Sequence, residues 1–129
     1  MTIPSSPWAE LLEEVRASCL AQGTWSGEAR RLRDALDAKR MTASLGAQIE
    51  ARLRSAGYEL DEIPRFESDP VIVAPAGTRD LAAELAPLLP ELRALDRVVP
   101  VGLPWRDSLI ATRCVGRALA RRMAGDASR

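Results

Sequence analysis

Thr42-Ala-Ser-Leu45-Gly-Ala-Gln-Ile49-Glu-Ala-Arg-Leu53-Arg-Ser-Ala-Gly57-Tyr58 is the stretch on which the fold turns. Leu45, Ile49 and Leu53 recur every four residues, which places them on one face of a helix starting after Thr42 or Ser44. Gly57 suits the left-handed conformation that ends such a helix. Beyond it the period changes. Tyr58, Leu60 and Ile63 fit an extended segment, Glu67-Ser-Asp-Pro70 has turn composition, and the β-branched run Val71-Ile-Val-Ala74 fits a buried strand. The two extended segments pair naturally as a hairpin.

Working outward, Ser6 and Pro7 form an N-terminal helix signal, and Trp8, Leu11, Leu12, Val15 and Cys19 share a face before Gly23, giving a helix over 7–22. Ser26 is the expected cap of a second, highly charged helix reaching about Arg40, with Ala29, Leu32, Ala35 and Leu36 inward. Downstream, Thr78 is the expected cap of a helix carrying Leu81, Leu85, Leu88, Leu92 and Leu95, interrupted by Pro87 and Pro90. Val98–Val101 fits a short edge strand because Pro100 lacks a backbone donor. A last helix is expected from about Arg106 to Met123. The expected order is α-α-α-β-β-α-β-α, a mainly helical α+β arrangement with a small sheet. The length of 129 residues suits one compact domain over 1–125, with 126–129 as a frayed tail.

Residues 28–74 resemble a winged helix-turn-helix in pattern: a helix, a short turn at Arg40-Met-Thr42, a second helix, a glycine stop and a hairpin. The resemblance implies that Thr42, Ser44, Gln48 and Arg52 lie on the outer face of a recognition helix, where such residue types reach phosphates and base edges. Glu59, Asp61, Glu62, Glu67 and Asp69 on the hairpin oppose that use, since they repel phosphates.

Composition excludes more than it identifies. The chain has no histidine, and Lys39 is its only lysine, so nearly every cation is an arginine that keeps its proton near neutral pH. His-activated nucleophiles, His metal ligands and Schiff-base lysines away from Lys39 are therefore ruled out. Pro75-Ala-Gly-Thr78 lacks the glycines and lysine of a phosphate loop. No motif selects a pair of catalytic carboxylates, and neither a metal nor a cofactor is expected. The 18 acidic and 18 basic residues cancel, so electrostatic recognition must be local. No apolar run approaches the length of a membrane span. Cys19 and Cys114 both fall on apolar helical positions and are expected as buried, reduced thiols. Arginine in place of lysine, with abundant alanine, points to a GC-rich bacterial genome.

One local electrostatic feature stands out. Arg113, Arg117 and Arg121 repeat every four residues, with Arg106 upstream, and form an expected exposed ridge suited to a partner's carboxylates. The sequence thus leads to a non-enzymatic cytoplasmic bacterial protein acting as an adaptor, a regulator or a small subunit. Its expected partner is another protein or a second copy in a homodimer. A winged-helix DNA-binding regulator is the alternative.

Overall fold

The computed structural model describes residues 6–88, 91 and 109–127. Helix α1 (Pro7–Gln22) begins as its sequence dictates: the Ser6 hydroxyl accepts from the Ala9 amide at 3.1 Å, and Pro7 occupies the first turn. It stops at Gly23, whose φ of 89° is left-handed and whose N–H returns to the Cys19 carbonyl at 2.8 Å.

Strand β1 (Trp25–Glu28) follows, and it includes Ser26, the expected helix cap. The correction has a tertiary cause. The Trp25 side chain is 3% exposed, and its indole Nε1 donates to Glu14 on α1 at 2.6 Å. Ser26 is thus a strand residue, and α2 (Ala29–Ala35) starts three residues later with no side-chain cap. Its first free donors instead reach main-chain carbonyls of a distant loop: the Ala29 amide donates to Asp69 at 2.9 Å and the Arg30 amide to Glu67 at 2.8 Å. The helix also ends earlier than Arg40. Asp37 takes a positive φ of 57°, and the Ala38 amide folds back to the Arg33 carbonyl at 3.1 Å.

Helix α3 (Ala43–Ser55) is capped by the Thr42 hydroxyl, which accepts from the Leu45 amide at 3.0 Å, and it buries Leu45, Ile49 and Leu53 as expected. Strands β2 (Tyr58–Leu60) and β3 (Pro70–Pro75) form the expected antiparallel hairpin, and β1 pairs with the other edge of β3, giving the sheet order β1-β3-β2. Val73 lies opposite Trp25 on one side and Leu60 on the other. This face packs with Val15, Cys19, Leu32, Ile49 and Leu53 in the main core. Burial there pushes the Cys19 thiol up to about 12. Cys19 is buried as expected, whereas Cys114 is only half-buried.

Helix α4 (Thr78–Leu85) departs from expectation at its cap. Gly77 holds the cap position, and the Thr78 hydroxyl donates to the Pro75 carbonyl at 2.5 Å. Capping falls to Glu59 on β2, whose carboxylate accepts from the amides of Gly77 at 3.2 Å and Arg79 at 2.7 Å. A single 3₁₀ turn covers Ala86–Leu88. Helix α5 (Leu109–Ala127) continues two residues into the stretch assigned to the tail. The expected strand at Val98–Val101 lies outside the described residues. Within them, the fold is α+β and mainly helical, with a three-stranded antiparallel sheet.

Candidate docking groove between α1 and α3

The arginine ridge on α5 is not a ridge. Arg113 is 1% exposed and its Nε donates to the Gln22 carbonyl at 3.1 Å, Arg117 is half-buried, and Arg121 is exposed. Arg106 lies outside the described residues. The cause is the breadth of the buried arc on α5, which packs against α1 on one side and α4 on the other. The Arg113 guanidinium supplies a donor and positive charge where the α1 carbonyls run out.

On α3 the outcome differs. The Thr42 hydroxyl is committed to its cap, while Ser44, Gln48 and Arg52 are exposed along one face. The guanidinium carbon of Arg52 stands 5.9 Å from the centre of the Trp8 ring. That distance is in the range where a cation is attracted to an aromatic face. Trp8 and Leu12 from α1 face Gln48, Ala51, Arg52 and Ser55 from α3 across an open groove of about 430 Å³. The groove has an aromatic and aliphatic floor and one cation, and among the described residues that line it there is no carboxylate. Trp8 was legible as a residue of the apolar α1 face; its meeting with Gln48 and Arg52 depends on how α1 crosses α3, which no local pattern encodes.

Elsewhere charges serve the fold. Around the second helix, Arg30 pairs with Glu28, Arg31 with Glu14 at 2.9 Å, and Arg33 with both Glu67 and Asp34. Glu14 also accepts from Trp25, and the Arg31 and Trp25 donors together hold its carboxyl below the usual carboxylate range. Asp69 accepts from the amides of Phe66 and Arg65, both at 2.9 Å, which lowers its pKa likewise. The hairpin loop is thereby drawn toward α2, and Phe66 remains 67% exposed.

A larger cavity of about 690 Å³ opens between α3, β2 and α4, lined by Glu50, Glu59, Asp61, Glu62 and Asp80 together with Arg54 and Arg79. Its polar groups also have structural duties: Glu59 caps α4, Asp61 accepts from the Ile72 amide at 3.0 Å, and Arg79 donates to the Asp61 carbonyl at 2.6 Å.

No helix among the described residues is long and apolar enough to cross a membrane. No protein-family model, curated protein or solved structure matches the chain.

Proposed function

We propose that this chain is a non-enzymatic protein-binding module, an adaptor or regulator of the bacterial cytoplasm, that docks a partner protein in the groove between α1 and α3. The observation that carries the reading is the groove itself: an open site with a half-buried aromatic and aliphatic floor, Trp8 and Leu12, beside exposed Arg52. Interfaces favour aromatic anchors and arginine in this way. The test is a photo-crosslinking residue at exposed Ser55, with exposed Ser26 as a control position, in cells that carry the native gene. Crosslinking to a discrete protein from position 55 only, abolished by Ala51→Arg, is the expected result. No protein adduct at position 55, or one that Ala51→Arg leaves intact, would remove the reading.

A second reading, duplex DNA binding, is favoured by one specific observation. The order helix, strand, helix, helix and hairpin places Ser44, Gln48 and Arg52 outward on α3, after a turn bearing exposed Lys39 and Arg40. The ion pairs that occupy Arg30, Arg31 and Arg33 weigh against it, because duplex affinity grows with the number of phosphates neutralised. Fluorescence anisotropy with a mixed-sequence duplex at low ionic strength separates the two readings: salt-sensitive binding lost in Arg52→Glu supports DNA.

A further inference from the structure

We infer that the occupant of the α1–α3 groove is an acidic amphipathic peptide segment, with apolar side chains on Trp8 and Leu12 and an Asp or Glu carboxylate on Arg52. This rests on the protein-docking reading above and adds the chemistry of the partner. Three observations carry it. The chain as a whole is charge-balanced, with 18 acidic and 18 basic residues, yet the described lining of this groove has one cation and no anion, a local bias that an anionic partner complements. The guanidinium of Arg52 lies over the Trp8 ring, which restrains its position, and a planar guanidinium can present paired N–H donors to a carboxylate. The half-buried floor of Trp8 and Leu12, with exposed Ala51 in the same lining, offers carbon surface for side chains to cover. A phosphodiester backbone presents little carbon for such a floor, so a peptide carboxylate fits better than a nucleic-acid phosphate. The neighbouring Gln48 amide can donate to and accept from the segment's backbone.

The test is selection of a random dodecapeptide library, displayed on phage, against the full chain. Ala51→Arg serves as the blocked-groove control and Arg52→Glu as the charge reversal. Both positions are exposed on α3, so both variants keep the fold, which thermal melts verify. The expected winners combine aliphatic or aromatic residues with at least one Asp or Glu, fail to bind Ala51→Arg, and bind Arg52→Glu about tenfold or more weakly, as loss of a charge-assisted contact implies. Selection repeated on Arg52→Glu should enrich lysine and arginine peptides instead. Winners that need an open groove but carry no acid, or that ignore Arg52→Glu, overturn the carboxylate assignment while leaving protein docking intact. An absence of winners, or winners indifferent to Ala51→Arg, defeats the docking reading together with the inference. Displacement of the winners by a mixed-sequence duplex at physiological salt assigns the groove to nucleic acid and overturns both.

Discussion

Arg113 shows how much one side chain's surroundings decide its role. An exposed arginine contributes under about 1 kcal/mol to stability, since water screens its charge and holding the long side chain still costs entropy. A guanidinium withdrawn from water is a different object: its hydration is lost, and the fold must return hydrogen bonds to it, as the Gln22 carbonyl does for Nε. Truncation there would strand that carbonyl and leave a void between α1 and α5. We expect Arg113→Ala to lower the unfolding free energy by about 2–5 kcal/mol, and Arg121→Ala by less than about 0.5 kcal/mol. Urea denaturation of the two variants checks this, and equal midpoints would contradict the burial of Arg113. The arginines at 113, 117 and 121 share a spacing of four, and that much is legible in the chain; their different exposures follow from which neighbouring helix each one meets. Spacing places residues on a face but is silent about what packs there.

At the scale of elements, α1 and α3 were legible because their signals are local. Each has a hydroxyl cap at its start, apolar residues three or four apart, and a glycine just beyond its end. The elements that escaped the sequence are those whose missing hydrogen bonds are supplied from far along the chain. Strand β1 is only four residues long and exists through its pairing with β3; the N-terminus of α2 is satisfied by the loop between β2 and β3. Helix α4 makes the point most sharply, since its capping carboxylate belongs to a strand residue 18 positions before Gly77. Thr78 has the right residue type for a cap, but its hydroxyl is turned to the Pro75 carbonyl. Loss of a capping side chain costs about 0.5–2 kcal/mol. Glu59→Ala should therefore weaken the chain by about that amount, whereas Thr78→Ser, which keeps the hydroxyl, should not speed exchange at the cap amides. Amide hydrogen exchange reads the effect directly: the amides of Gly77 and Arg79 should exchange faster in Glu59→Ala. Unchanged protection at both would mean that another group caps α4.

Across the whole molecule, α5 ties two cores together. Its Ala120 joins the main core of α1, α2, α3 and the sheet, while Ala111 and Val115 pack with Ala82 of α4 in a second, smaller cluster. The junction is a backbone-to-backbone contact without room for a side chain. A Cβ at Gly116 would lie 2.0 Å from the Gly23 carbonyl oxygen, and one at Gly23 would lie 2.0 Å from the Arg113 carbonyl oxygen. Neither atom is the movable end of a side chain, so relief requires α5 to shift as a body away from α1. Such a shift would also disturb the Arg113 to Gln22 hydrogen bond and the seating of Ala120. Overpacking of this kind costs about 1–3 kcal/mol, and more where backbone must move. Gly116→Ala should accordingly lower the thermal midpoint of the chain, and because α5 contributes to both clusters, the loss should reach both. The measurement is amide exchange at Leu53 in α3 and Ala82 in α4, compared between wild type and Gly116→Ala. Protection should fall at both sites by a similar factor, as in one cooperative unit. Loss at Ala82 alone would instead make α4 and α5 a separately opening layer on a self-sufficient core, and the groove between α1 and α3 would then survive in a chain cut after Pro75.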